Sequence, residues 1–312
     1  MNNTEFLSDA NIFSNLVINL TDKCNLNCKY CFRDSGPNCK NSNSLDFKTV
    51  KNILSFFYKK NSTKRTLLQL TGGEALLHDD FFLIIECALS FNFVVRIQTN
   101  GTLIPSLSKE GINLLSNKHV ITKISIDGWD KYIHGIFRDP SSYNSVIKGI
   151  TTLRKNTSQV GLKSVIHSEN FDNLQKMLDL CIDLDMKSWS HNILKKRGRS
   201  QKKGDISELE VTKKLITYYN TLKYRHLLGG SNVLMYYLLN YQKRNSFPNF
   251  FFVNSDGSIY INDNVQPDYF VGSVYEENLT NQFNIKNADI IPTREIQPEI
   301  LEYVRSNLNL KH

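Results

Sequence analysis

Leu16-Val17-Ile18-Asn19-Leu20 leads into a loop that carries Cys24-Asn25-Leu26-Asn27-Cys28-Lys29-Tyr30-Cys31. A short apolar run bounded by polar residues reads as a buried strand, which puts the three cysteines of this C-x3-C-x2-C pattern on the loop that follows it. Thiolates so closely spaced can converge on one metal centre, and three rather than four leave one iron of a cubane cluster without a protein ligand. An iron with such an open site can bind a substrate or cofactor directly. The competing reading is a structural zinc site closed by Cys39, eight residues after Cys31. Structural zinc motifs pair two-residue knuckles across a longer loop, whereas here the fourth candidate follows Ser35-Gly36-Pro37-Asn38 with no partner knuckle. The spacing therefore favours an open iron–sulfur cluster.

Outward from this loop, strands and helices alternate. Ser44 is placed as the cap of a helix with Phe47, Val50, Ile53, Leu54 and Phe57 at helical spacing. Leu67–Leu70 reads as a second strand and Asp80–Ser90 as a helix; Phe93–Gln98 is a third strand, ending at Thr99-Asn100-Gly101. A weaker helix over Ser108–Ser116 precedes a fourth strand, Ile121–Ile126, and Tyr143–Arg154 is again helical. Gly161–Ile166 and Lys187–Ile193 supply strands five and six, and Asn170 is placed as the cap of the intervening helix that carries Leu174, Met177, Leu178 and Cys181. Cys87 and Cys181 lie on apolar helix faces and read as small core residues.

Six strand–helix repeats predict an α/β fold of parallel strands, either an open sheet or an incomplete barrel. In such folds the reactive face lies at the C-terminal ends of the strands. The cysteine loop, Thr71-Gly72-Gly73-Glu74, Thr99-Asn100-Gly101 and Ser125-Ile126-Asp127-Gly128 all fall there. After residue 200 the pattern changes. Ser207–Arg225 and Asn232–Leu239 are expected to be helical, Phe250–Val253 and Ser258–Ile261 to form a hairpin about Asp256-Gly257, and Pro298–Leu308 to be a helix. The expected division is an N-terminal segment 1–13, a core 14–204, a helical linker region 205–245 and a small α+β extension 246–312, with the boundary near Arg244–Pro248.

At 312 residues and 40% hydrophobic content the chain can bury a sizeable core. It has no run of about 18 apolar residues, and Met1-Asn2-Asn3-Thr4-Glu5 lacks the blocks of a signal peptide, so the expected location is cytoplasmic, with no membrane partner. Six cysteines in a chain of this size are not a disulfide framework. The net charge of +8 is spread over 38 basic and 30 acidic residues, and only Lys195-Lys196-Arg197-Gly198-Arg199 with Lys202-Lys203 concentrates it. No aromatic is interleaved there to stack on a base, so this segment reads as a solvated loop rather than a nucleic-acid site.

Coming one strand–helix unit after the cysteines, Gly72-Gly73-Glu74 turns the pattern into one that resembles the radical S-adenosylmethionine (SAM) enzymes. The resemblance extends over Thr99-Asn100-Gly101-Thr102-Leu103 and Ser125-Ile126-Asp127-Gly128, with His134 and Arg138 at a spacing familiar from the peptide-modifying branch. It implies a partial (β/α)6 barrel in which Cys24, Cys28 and Cys31 hold one [4Fe-4S] cluster. It further implies that Tyr30, Gly72, Gly73, Glu74, Asn100, Ser125, Arg138 and Leu194 surround SAM. In that picture Glu74 takes the methionine amino group, Ser125 the ribose, Arg138 the methionine carboxylate through its planar fork, and Leu194 begins a loop beside the adenosine. From the residues alone, Asn100-Gly101 and Asp127-Gly128 are also ordinary turns, and His134 and Arg138 ordinary surface residues.

Asn254-Ser255-Asp256-Gly257-Ser258-Ile259-Tyr260 and Val271-Gly272-Ser273-Val274 resemble the SPASM or "twitch" extension of the same branch. Where that extension usually places its first cluster cysteine, this chain has Asn262, and no cysteine follows Cys181; the expectation is a cluster-free remnant. The resemblance implies reductive cleavage of SAM and hydrogen abstraction from a ribosomally made precursor peptide, with a flavodoxin or ferredoxin as reductant. With the first cysteine at position 24, leader recognition is expected to need a separate protein or the extension. Dehydrogenation or epimerisation of a small metabolite is the alternative activity. A non-catalytic iron–sulfur interaction protein is the alternative class. The catalytic residue beyond the cofactors is not assigned.

Overall fold

Six parallel strands form the frame: β1 (Ile12–Asn19), β2 (Arg65–Thr71), β3 (Val94–Thr99), β4 (Val120–Ser125), β5 (Val160–Ile166) and β6 (Ser188–Ile193). The structure is a computed structural model that describes residues 12–39, 42–60, 65–200, 206–228, 250–261, 270–275 and 298–307. The strand order is β6-β5-β4-β3-β2-β1-β7-β8-β9. The crossovers carry α1 (Phe47–Lys60), α2 (Phe81–Ser90), α3 (Lys109–Leu115), α4 (Lys131–Gly135), α5 (Ser142–Arg154), α6 (Ser168–Phe171) and α7 (Leu174–Asp183). The expected α/β class and the open, partial barrel are what the strands form.

Alternate strand residues explain the layering. Leu16, Ile18, Leu68, Leu70, Val95, Ile97, Ile124 and Leu162 point to the helix side and share one core with Val50, Ile53 and Leu54 of α1, Ile84 and Ile85 of α2, and Ile150 of α5. Each such side chain contributes roughly 1.5–3 kcal/mol on burial. Trp189 completes the layer on β6, fully buried, and its indole N–H donates to Ser164 Oγ at 2.9 Å. Cys181 lies in this core as expected, whereas Cys87 is only half-buried at its edge.

The opposite face of the same strands is polar. Gln69 registers with Arg96, Gln98 with Lys123, Ser125 with Lys163, and Lys163 with Ser190. Burial, then the charges of Arg96, Lys163 and Lys187, push the Lys123 ammonium down to about 7 against the opposing pull of Cys181. Lys163 is held at about 8 by burial and Arg96. A lysine depressed in the folded state binds fewer protons there than in the unfolded chain, so stability rises as pH climbs from about 7 towards 10. Denaturant melts should show that rise, and Lys123→Met should flatten it; an unchanged slope contradicts the burial of this charge.

Several local expectations are corrected. Ser44 does not cap α1. Its hydroxyl donates to Thr21 Oγ1 at 2.6 Å, and Asp46 caps instead, accepting from Thr49 N at 2.9 Å and Thr49 Oγ1 at 2.7 Å. Asn170 does not cap α7 either: a short α6 intervenes, and the Asn170 amide donates to the carbonyls of Asp127 and Val165. The single helix expected over Ser207–Arg225 is α8 (Glu208–Tyr219) followed by α9 (Arg225–Leu228); Ser207 and Glu210 form its capping box.

The C-terminal hairpin forms as expected from β7 (Phe250–Val253) and β8 (Ser258–Ile261), and β9 (Phe270–Ser273) adds a third strand the sequence reading did not assign. It is not set apart from the core sheet. β7 pairs in parallel with β1, Leu16 opposite Phe251 and Ile18 opposite Val253, and Phe251 packs edge-on to Phe57 of α1 at 5.3 Å. α10 (Pro298–Asn307) packs on α8. Asn232–Leu239, Arg244–Pro248 and Asn262 lie outside the described residues.

Candidate active site

The cysteine loop is fixed first by the two glycines. Gly73 N donates to Thr21 O at 2.7 Å and Glu74 N to Lys23 O at 2.8 Å. A Cβ on Gly72, whose φ is +151°, would lie 2.4 Å from Thr21 O, and one on Gly73 2.4 Å from Lys23 O. The space that glycine leaves here is taken by the cysteine loop's own backbone. Glu74 is buried and bridges two rim loops, accepting from Thr99 Oγ1 at 2.6 Å, Asn100 N at 2.7 Å and Leu76 N at 3.1 Å. Burial raises its carboxyl despite those bonds. The Asn100 side chain donates to Asn25 Oδ1 at 2.8 Å, and Asn25 donates to Thr102 Oγ1 at 2.8 Å, so the third rim loop grips the first.

Cys28 is buried and Cys24 and Cys31 are half-buried. Burial drives the Cys24 thiol up to about 12, and the nearby charges of Glu74, Cys28 and Cys31 act in the same direction while the Leu26 N–H opposes them. Cys28 is raised chiefly by burial, with Arg138 opposing. Thiols such as Cys24 and Cys28 that resist ionisation are ones a metal must deprotonate as it binds. Three soft sulfur donors on one loop fit an iron–sulfur cluster with an open corner. Among the described residues no group of three or more His, Cys, Asp or Glu side chains is drawn together around a metal position, the three cysteines included, so their fit to a cluster rests on the donor chemistry and spacing.

Beside the cysteines, Asp127 organises the rim. Its Oδ2 accepts from the Tyr30 hydroxyl and from Arg138 Nε at 2.6 Å, and its Oδ1 from Val165 N at 2.8 Å. The Arg138 guanidinium lies over the Tyr30 ring at 5.5 Å, with Nη1 4.0 Å from Cys28 Sγ. Burial alone would raise the Asp127 carboxyl, but Arg138, His134 and the Tyr30 hydrogen bond hold it below the ordinary carboxylate range. Burial acts against the Arg138 charge, and Asp127 outweighs it. Arg138 is therefore no surface cation: its side chain is 10% exposed. His134, expected at a helix surface, is fully buried between Asp127 N and Ser142 Oγ, and burial pushes it down to about 4. Ser125 ends β4 on the polar face, and Leu194 is buried just past β6, its N–H on Ile166 O.

Two contributors were not legible as such. In the basic run, expected to be a solvated loop or one beside the adenosine, Lys195 and Lys196 are exposed, while Arg199 clamps the cysteine loop: it donates through Nε to Cys28 O at 3.0 Å and through Nη2 to Ser35 O at 2.6 Å, and its N–H to Cys31 O at 3.0 Å. Gly198, at φ +60°, makes room for the Cys31 carbonyl. Asn254, at the end of β7, accepts from Asn19 Nδ2 at 2.6 Å and Arg33 Nη2 at 3.2 Å, and Ser255 donates to Asp22 at 2.7 Å. Nothing in spacing betrays either contact, because both span more than 160 residues. Arg199→Ala removes the side-chain bonds to Cys28 O and Ser35 O and keeps the backbone bond to Cys31 O. Iron retained after gel filtration should fall several-fold while the melting temperature changes little; full retention contradicts the bracing role.

The comparisons agree with this geometry. The Radical SAM superfamily profile matches residues 18–181, just over half of the chain. "Uncharacterized protein MJ0907" of Methanocaldococcus jannaschii is 30% identical over 284 residues, covering 84% of this chain and 89% of its own. The antilisterial bacteriocin subtilosin biosynthesis protein AlbA of Bacillus subtilis is 27% identical over 186 residues, 58% of this chain and 40% of that protein, so the chain spans well under half of that curated relative. Among solved structures, native anSMEcpe with bound AdoMet and Cp18Cys peptide superposes with a TM-score of 0.71 at 18% identity, covering 90% of this chain and 82% of that one; this likeness speaks for the fold. No helix among the described residues is long and apolar enough to cross a membrane. With the cysteine loop, the glycine-backed Glu74 and the Asp127–Arg138 pair gathered on one rim of a partial barrel, the chain belongs to the radical SAM superfamily of enzymes.

Proposed function

We propose that the chain holds one [4Fe-4S] cluster through Cys24, Cys28 and Cys31, binds SAM along the rim and modifies a precursor peptide. The observation that carries this reading is the Asp127–Arg138 pair set against Cys28. Asp127 takes Arg138 Nε, which leaves the guanidinium's outer nitrogens to receive a carboxylate. That suits the methionine end of SAM. Tyr30 stacks under the same guanidinium and fixes its plane, and Asp127 in turn is fixed by Val165 N. Glu74 would supply a buried acceptor for the amino group and Ser125 would take the ribose, while Asn100 ties the Glu74 loop down and the backbone that Gly72 and Gly73 admit keeps the cysteines in register. The backbone after Leu194 would border the adenosine, and Arg199 returns to the cysteine loop.

When bound, such a cluster supplies the electron that cleaves SAM reductively, giving the 5′-deoxyadenosyl radical that takes a hydrogen atom from the substrate. The protein's own share is orientation and exclusion of water. A flavodoxin or ferredoxin would deliver the electron, and a separate protein or the C-terminal extension would present the leader. Support for a peptide substrate comes from AlbA, which serves bacteriocin biosynthesis, and from anSMEcpe, which binds a peptide on the same fold. The test is anaerobic incubation with SAM, dithionite and short peptides encoded beside the gene, read by mass spectrometry. A mass change or crosslink confined to one such peptide is expected. 5′-deoxyadenosine formation driven only by small metabolites would overturn the peptide assignment.

A further inference from the structure

The polar face described above holds three cations without an acid. Arg96, Lys123 and Lys163 lie on β3, β4 and β5, and among the described residues no carboxylate pairs with any of them. Arg96 Nε is buried with no hydrogen-bond partner. Lys123, 8% exposed, donates to Ser188 Oγ at 2.5 Å, and Lys163 donates to Gln98 Oε1 at 3.1 Å. An ammonium has three donors, so each lysine keeps others for a ligand.

The arrangement is built. A Cβ on Gly161 would sit 2.7 Å from Lys123 Nζ and 2.6 Å from Ser188 Oγ, so glycine clears the path by which Lys123 crosses β5. Lys163 registers beside Ser125 at the rim, and Lys123 lies two residues deeper on β4, about 7 Å at strand rise. Like charges packed together away from water are costly, and an apolar residue at any of these positions would be cheaper. What justifies them is an anion that arrives. Lys123 leans towards β6 and Lys163 towards β3, so the charges are spread rather than converged on one point. Spread donors suit carboxylates borne along a chain better than a single tetrahedral anion.

We infer that the inner face of β3–β5 is a carboxylate-binding chamber, in which Arg96, Lys123 and Lys163 receive acidic side chains of the substrate peptide beneath the SAM site. This deepens the function proposed above and rests on it for the identity of the carrier. The same carboxylates on a small polycarboxylate would meet the same donors, so the experiment separates the two sources.

The probes are a Glu-rich decapeptide, its Gln counterpart, citrate and inorganic phosphate, titrated calorimetrically into the full chain. The Glu peptide should bind at least about ten-fold tighter than the Gln peptide, a difference of about 1.4 kcal/mol. Lys123→Gln, Lys163→Gln and Arg96→Gln should each weaken it several-fold while melting at or above the wild-type temperature, because each relieves repulsion. The Glu-against-Gln comparison needs only wild-type protein and decides the matter should a variant fail to fold. Equal binding of the two peptides, or variants that bind the Glu peptide as wild type does, overturns the chamber and leaves the peptide function standing. Citrate binding that depends on these cations, with no binding of the Glu peptide, upholds the chamber and overturns the peptide carrier. Phosphate binding tighter than both overturns the carboxylate assignment.

Discussion

Cys28→Ala is expected to leave a folded, colourless protein that retains no cluster and releases no 5′-deoxyadenosine, a loss of at least about a thousand-fold in activity, or roughly 4 kcal/mol in barrier. Three ligands hold such a cluster with none in reserve, so removing one is not compensated by a neighbour. Cys39 is the nearest alternative in sequence, and it lies eight residues beyond Cys31, outside the C-x3-C-x2-C spacing. Cys28 is also the buried member of the trio, next to Arg138, so water cannot easily replace its sulfur. The fold should persist, because the loop is held by backbone bonds from Gly73, Glu74 and Arg199 rather than by the thiol. Iron and sulfide analysis after anaerobic reconstitution checks the first half, and product chromatography the second. A variant that keeps a full cluster contradicts the ligand assignment.

Asp127→Asn is expected to spare the cluster and cripple SAM binding, raising its Kd by at least about ten-fold. The amide can still accept from Val165 N, but it withdraws the charge that holds Arg138 and Tyr30. Removing one partner of a buried ion pair leaves the other charge uncompensated, at a cost of about 3–5 kcal/mol in stability. Because Asp127 acts through Arg138, the two substitutions should be non-additive: Asp127→Asn combined with Arg138→Ala should bind SAM no worse than Arg138→Ala alone. Equilibrium dialysis of iron-replete protein measures this. Additive losses would show that Asp127 touches the cofactor independently.

The frame of the molecule was readable because its strands obey simple rules. Leu16–Leu20, Leu67–Leu70 and Ile121–Ile126 are buried runs, and each expected strand overlaps an observed one with ends shifted by a few residues. Helix starts were less readable where two capping residues competed, as Ser44 and Asp46 do before α1; the one with a free carboxylate facing the helix amides won. At the site, the cysteines and Glu74 announced themselves by spacing. Asp127 did not, since an Asp-Gly pair reads as a turn until Tyr30, Arg138 and Val165 are brought to it. Arg199 was hidden in a run of surface charge, because its partners Cys28 and Ser35 come from the other end of the core. The register of Arg96, Lys123 and Lys163 was hidden for the same reason: each sits on its own strand, and only the sheet puts them on one face.

The most direct measurement is to reduce anaerobically purified, iron-reconstituted protein with dithionite in the presence of SAM and quantify methionine and 5′-deoxyadenosine. Equal amounts of the two products, absent from Cys24→Ala protein, are predicted. Stoichiometric zinc in place of iron, with SAM left intact, would contradict the assignment of this loop to radical chemistry.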